Sequence, residues 1–260
     1  MGWFDILGYR TFLEQNPATA VTQVLEKLNQ LESEVPTACL KDLGMTKSPK
    51  AHELSKEVQW LVFSDTILLT ARLRAPGERA RNSNIWSFFS LHAIYLWRRM
   101  FDFGLPVRGA ITKGSFLIKK NCFAGQAIFK AESLATNLNC AGIAIAPSVT
   151  EWCNSDPALR LKSPIAFDYE LPFKTSEPKA QTMLNVAWFL ADPKDPNEQE
   201  TRAKWAGDLR QLLHESFWAH GKSIGPGVPE KIEHTERMLR FLKLKRPDMF
   251  QDATGGRPPP

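Results

Sequence analysis

Two aspartates interrupt apolar sequence in the first quarter of the chain. Asp5 lies in Trp3-Phe-Asp-Ile-Leu-Gly-Tyr-Arg-Thr-Phe12, and Asp65 in Val58-Gln-Trp-Leu-Val-Phe-Ser-Asp-Thr-Ile-Leu-Leu-Thr70. A carboxylate in such surroundings is costly unless it is paired or holds a cation. If the two segments are neighbouring strands, the carboxylates could share a divalent cation, and hard oxygen ligands suit Mg²⁺ or Mn²⁺. Structural roles compete with this reading: Asp5 as a helix N-cap or turn residue, and Asp65 in a buried ion pair with an arginine such as Arg108.

The elements that must position this pair follow from periodicity. Residues 3–12 read as a short strand turning at Gly8 into a helix. Pro17 opens a second helix, in which Val21, Val24, Leu25, Leu28 and Leu31 recur at helical spacing, ending before Pro36. Residues 36–56 read as a loop or short helix, and 58–70 as a buried strand or a tight hairpin. The next helix is capped by Asn82-Ser-Asn, carries Ile85, Phe88, Phe89, His92, Tyr95, Leu96 and Met100 on one stripe, and closes at Gly104. Val107–Gly114 reads as a strand, residues 116–118 as a hairpin extension, 125–138 as a helix, and Ala141–Ala146 as a buried strand ended by Pro147. Further on, strands are expected at Pro164–Phe173 and Met183–Leu190, adding to the sheet edge, and helices at Thr201–Ala219 and Glu230–Leu244. The order predicts an α/β or α+β sandwich. It forms one domain over residues 1–250, with a core at 1–150 and an extension at 151–250, ahead of a disordered tail at 251–260.

Composition narrows the function classes. With 260 residues, 43% of them hydrophobic, the chain can fill a sizeable core. Its net charge of +5 suits a polyanion. No run of five or more Lys/Arg appears and no aromatic residues interleave with a basic stripe, so a nucleoside triphosphate fits better than a dedicated nucleic-acid surface. Cys39, Cys122, Cys140 and Cys153 show no C-x-x-C spacing, which argues against structural zinc or a disulfide framework. No secretory signal fits, and no apolar run approaches the roughly 20 residues that cross a bilayer. A soluble, cytoplasmic chain with no membrane partner is expected. His92 reads as a packed core histidine. Gly221-Lys-Ser-Ile-Gly-Pro-Gly lacks the P-loop frame and reads as a loop.

Four segments in order resemble class III nucleotide cyclases. Phe4-Asp-Ile-Leu-Gly-Tyr-Arg-Thr-Phe12 looks like the family's opening F-x-D-I-x-G-F strand, with one residue fewer before the aspartate. Phe63-Ser-Asp65 stands where the family has G-D at a hairpin. Val107-Arg-Gly-Ala-Ile-Thr-Lys-Gly114 is similar to V-R-x-G-I-H-x-G, and Phe123–Leu134 to F-G-x-x-V-N-x-A-x-R-L. Within the superfamily, F-S-D-x-I and R-G-A-I-x-x-G look most like the bacterial pyrimidine cyclases of the Pycsar anti-phage system. The family's transition-state Asn and Arg fall on Phe129 and Ser133, and its base-reading positions on Leu61 and Cys122, so the usual purine pocket is not encoded.

The resemblance implies an α+β cyclase-like fold with a central, mostly antiparallel sheet flanked by helices. It implies synthesis of cyclic UMP from UTP, with cyclic CMP, a purine cyclase or a non-catalytic nucleotide-binding regulator as alternatives. It also implies a homodimer with interfacial sites and a product acting on a separate effector. Asp5 and Asp65 would hold two Mn²⁺ or Mg²⁺ ions, with the Ile6 carbonyl completing one shell. The Leu7, Gly8 and Tyr9 backbone would offer N–H groups to phosphates. Arg108 serves either a sheet-face salt bridge or a phosphate. Lys113, Lys130 and Arg10 are candidates to replace the missing transition-state pair, against plain solvated side chains.

Overall fold

Strand β1 (Gly2–Ile6) alternates its side chains between two environments, and the sheet is assembled around it. The computed structural model describes residues 1–75, 77–119, 122–155, 165–175, 177, 179–187, 204–205, 207–222, 225 and 227–245. β2 (Val58–Phe63) and β3 (Thr66–Ala71) form a hairpin, and β3 pairs antiparallel with β1. On the other side of β1 lies β4 (Val107–Ile111), antiparallel, with Phe4 opposite Gly109 and Asp5 opposite Arg108. A short ribbon, β5 (Leu117–Lys119) and β6 (Cys122–Ala124), stands apart from the main sheet. β7 (Ile143–Ile145) runs parallel to β4, and the hairpin of β8 (Ala166–Leu171) and β9 (Lys179–Leu184) completes the order β2-β3-β1-β4-β7-β9-β8. With eight helices among the described residues, this is an α+β fold.

Helices cover the two sheet faces unequally. Phe4, Ile6, Ile67, Leu69, Val107 and Ile111 enter the main core with α2 (Ala18–Asp42) and α4 (Arg79–Asp102). Trp3, Leu68 and Ala110 face the opposite way, against Ala127, Ile128, Ala131 and Ala135 of α5 (Gln126–Asn137). The Phe4 ring lies across two glycines of the sheet. A Cβ on Gly109 would sit 2.4 Å from it and one on Gly2 2.7 Å, so neither position accepts a side chain without movement.

Several elements differ from expectation. α2 does not stop before Pro36 but runs through it to Asp42, because Val35, Cys39 and Leu40 are all buried against the core. That packing outweighs the one hydrogen bond a proline cannot donate. α3 (Pro49–Lys56) starts at Ser48, whose hydroxyl accepts from the Ala51 N–H at 3.3 Å. α4 begins at Arg79, not at the Asn82 caps. The Asn82 side chain instead holds the Arg74 backbone, accepting from its N–H at 2.8 Å and donating to its carbonyl at 3.3 Å. Gly104, at φ 67°, ends α4 as expected. Pro147 opens a helix, α6 (Pro147–Asn154), as well as ending β7.

The strand expected at Met183–Leu190 is β9, shifted towards the N-terminus, and positions 188–190 lie outside the described residues. α7 (Leu209–Trp218) begins where the Asp208 carboxylate accepts from the Arg210 and Gln211 N–H groups, later than the expected Thr201, which is outside the described residues. The expected tail at 251–260 is outside them too. α8 (Val228–Lys245) closes the described chain. No helix among the described residues is long and apolar enough to cross a membrane.

Candidate functional site

Asp5 sits in β1 on the α5 side of the sheet, so it is a strand residue and not a helix cap. Directly across, on β4, Arg108 reaches it with two nitrogens: Nε donates to Oδ2 at 2.7 Å, and Nη2 lies 2.6 Å from the same oxygen. Both side chains are largely buried, 17% exposed for Asp5 and 10% for Arg108. Arg108 Nη1 donates to the Leu138 carbonyl at the end of α5, at 3.1 Å. The arginine suggested as a partner for Asp65 is therefore the partner of Asp5. Strand register decides this, since residues opposite on neighbouring strands touch.

Asp65 is not inside a strand. Phe63 pairs with Thr66, leaving Ser64 and Asp65 as the two-residue turn between β2 and β3. Ser64 takes φ 52°, a left-handed conformation that costs a side chain about 1 kcal/mol relative to glycine. The turn is tied to β1 by the Ile6 N–H, which donates to the Asp65 carbonyl at 2.8 Å. Asp65 Oδ1 accepts weakly from the Thr66 hydroxyl at 3.5 Å. Hairpin turn and strand end thus bring the two aspartates to one corner of the sheet.

Charge at this corner is coupled. Burial pushes the Asp5 carboxyl above its ordinary value; the Arg108 guanidinium pulls the other way, and the Asp65 carboxylate adds to the upward push. The Tyr9 phenol is also raised, by burial and then by Asp65. Two lysines absent from the sequence-level reading feel the same corner. Lys174 is lowered by burial and by Arg108 and Lys231, and Lys231 by burial and Arg108, while Asp5 opposes both shifts. Lys174 Nζ donates to the Thr136 carbonyl at 2.6 Å, and Lys231 Nζ to the Gly227 carbonyl at 3.1 Å. Both come from the C-terminal half, and no local motif marks them. Only the return of that half past the end of α5 brings them in.

Other expected site residues fall elsewhere. The Leu7 N–H donates to the Pro106 carbonyl at 2.8 Å, so it is committed to the fold and not offered to phosphate. Gly8 is left-handed at φ 77° and leads into the seven-residue α1 (Tyr9–Gln15). The Arg10 side chain is 91% exposed and pairs with Glu14 at 2.9 Å along α1. Leu61 is half-buried with Trp3 and Leu68 in the smaller core. Lys113, beyond the end of β4 far from Arg108, lies over the Trp152 ring at 5.9 Å. Phe129, Lys130 and Ser133 are exposed on α5. The Cys122 side chain lies outside the described residues.

No group of three or more His, Cys, Asp or Glu side chains gathers among the described residues. A cation at this corner would rest on two carboxylates and backbone carbonyls. The donor chemistry fits: Arg108 engages only Oδ2 of Asp5, and a cation would relieve the mutual carboxylate repulsion. Cys140 and Cys153 are buried and pushed up to about 12, which leaves them protonated and unreactive. His92 is remote. It is fully buried, bonded to the Ser55 hydroxyl at 3.1 Å, and lowered to about 3 by desolvation. No protein-family model matches the chain, and no curated protein matches it in sequence.

Proposed function

We propose that the chain is a cytoplasmic nucleotidyl cyclase of the class III type, converting UTP to cyclic UMP and pyrophosphate as a second messenger for a separate effector. The observation that carries the reading is the corner where Asp5 on β1 and Asp65 on the β2–β3 turn are joined by the Ile6–Asp65 hydrogen bond. The four motif-like segments fall on β1, on that turn, on β4 and on β6 with α5, which agrees with the resemblance. In the reaction the ribose 3′-hydroxyl loses its proton to water, its oxygen bonds to the α-phosphorus, the bond from that phosphorus to the oxygen bridging to the β-phosphate breaks, and pyrophosphate leaves. Mn²⁺ or Mg²⁺ held by Asp5, Asp65 and the Ile6 carbonyl would acidify the 3′-hydroxyl and offset charge on the departing phosphates. Arg108 favours the ionised form of Asp5 while occupying its Oδ2, so a cation would take the other carboxylate oxygen. Lys174 and Lys231 act electrostatically on Asp5, and their charge would favour a triphosphate nearby.

A homodimer with shared sites is part of the proposal. Phe129 on α5 is 70% exposed and Phe63 37%, and both suit burial against a second copy. Leu61, half-buried against the smaller core, stands where the resemblance places a purine-reading Lys or Glu, which argues against the usual purine pocket. A second reading, a non-catalytic nucleotide-binding regulator, is favoured by the Arg108 fork on Asp5 and by Phe129 and Ser133 at the transition-state positions. The test is incubation with ATP, GTP, CTP and UTP separately, with Mn²⁺, and resolution of products by mass. Cyclic UMP alone supports the proposal, and cyclic CMP or a purine product moves the base. Nucleotide binding with no product, in a dimer, favours the regulator.

A further inference from the structure

The opposite end of the same strands holds a cavity that the proposed reaction does not use. Asp5, Thr66 and Arg108 share one level of the sheet, while Gly2, Leu69 and Ile111 share another. At about 3.3 Å per residue, those levels are roughly 10 Å apart. Past the second level, β3 and β4 run out into a cavity of about 940 Å³, walled in part by Arg72, Arg74, Lys113, Trp86 and Trp152. That volume is within the range of small-molecule sites, roughly 300–1,000 Å³.

Two chemistries meet in its wall. Trp86 and Trp152 pack edge to face, 6.1 Å between centroids, and form an angled aromatic surface. Around it stand four cationic side chains, Lys56, Arg72, Arg74 and Lys113, against one carboxylate, Glu57. Glu57 is already taken by Arg74 and by Arg81, each at 2.7 Å. Arg74 is held by this contact, yet its buried Nε has no hydrogen-bond partner among the described residues. The wall thus carries cationic charge beyond what its carboxylate balances, next to flat apolar rings. Lys113 already lies over Trp152 and Trp86 stacks on Phe89, so cation and ring are neighbours in the wall; a neutral aromatic ligand would make no use of the charge, and a bare inorganic anion none of the rings.

We propose that this cavity binds a small planar aromatic anion, its ring against Trp86 and Trp152 and its phosphate or carboxylate towards Arg72 and Lys113. The site is separate from the aspartate corner and does not depend on the proposed reaction. Calorimetric titration of the full chain with 1-naphthyl phosphate, 1-naphthoate, 1-naphthol and inorganic phosphate tests it. One of the two naphthyl anions should bind at least about tenfold more tightly than naphthol or phosphate, and the tighter one names the anionic group. The double substitution Arg72→Glu with Lys113→Glu, at two exposed positions, should weaken that binding by roughly tenfold or more, and Asp65→Asn should leave it unchanged. Equal binding of naphthol and the anions would overturn the proposal, as would no binding of either anion at millimolar concentration. So would binding that survives the double substitution, or binding lost in Asp65→Asn, which would move the ligand to the aspartate corner.

Discussion

Phe4 and Ile6 of β1 face a core closed by α2 and α4, whereas Trp3 and Asp5 face α5, which leaves part of the sheet open. On the closed side, large apolar side chains fill the space and His92 is buried without charge. On the open side, an ion pair and a turn meet at a corner beside exposed aromatic residues, and two lysines act on it electrostatically. The first arrangement derives its stability from packing and resists change. The second is held by a few polar contacts, which a ligand could replace without unfolding the chain.

The largest effect should come from the open face. For the proposed cyclase reaction, Asp65→Asn is expected to lower turnover by roughly 10³ or more, since charge stabilisation at the reacting phosphates is lost, while leaving the thermal midpoint unchanged. Product mass and a melting curve read both, and a parallel loss of stability would erase the division between the faces. Acid should act next, in opposite senses on the two sides. His92, lowered to about 3 from 6.5, contributes stability that is complete above pH 6.5 and is lost as pH falls towards 3, at about 1.4 kcal/mol per pH unit. Asp5, raised on folding, contributes stability that is present below its unfolded pKa and is lost as pH rises through its folded value. Urea unfolding across this range should show a shallower acid slope in His92→Leu, and an unchanged slope would place the acid sensitivity elsewhere.

Smaller effects sharpen the contrast. Arg108→Ala should cost about 3 kcal/mol, because it leaves the largely buried Asp5 carboxylate unpaired and the Leu138 carbonyl without its donor. Denaturant midpoints measure this, and Arg108→Lys should fall between, keeping charge but losing the fork. A loss below about 0.5 kcal/mol would show the pair to be weakly coupled. On the closed side, Gly109→Ala should cost about 2 kcal/mol through its clash with Phe4, with the same measurement. Smallest of all, Ser64→Gly should stabilise by about 0.5–1 kcal/mol, since glycine accepts the left-handed turn. A destabilised Ser64→Gly would mean that the serine side chain makes a contact worth more than the strain.

Legibility in the sequence followed the range of the interactions. The apolar stripe of α4, its glycine stop and the strand-forming runs are local signals, and they led to the observed elements. Asp65 was legible as a notable carboxylate, but its place in a turn depends on which residues of β2 and β3 pair, with Phe63 opposite Thr66. The passage of α2 through Pro36 depends on what Val35, Cys39 and Leu40 bury against. The Asp5–Arg108 pair spans 103 positions, and its choice over Asp65–Arg108 is one of register. Lys174 and Lys231 have no local pattern at all, because they influence Asp5 only through the path of the C-terminal half.

The Phe4 ring resting on Gly2 and Gly109 ties the histories of three positions together. A lineage that gains a methyl group at 109 while Phe4 remains loses sheet stability at once, and one that first trims Phe4 opens a void at a fully buried site. Either single step descends into a fitness valley, and only the paired change crosses it. The aromatic residue one position before Asp5 and the glycine one position after Arg108 should therefore be inherited as a unit. That linkage is one of packing and would persist whatever the neighbouring carboxylates do.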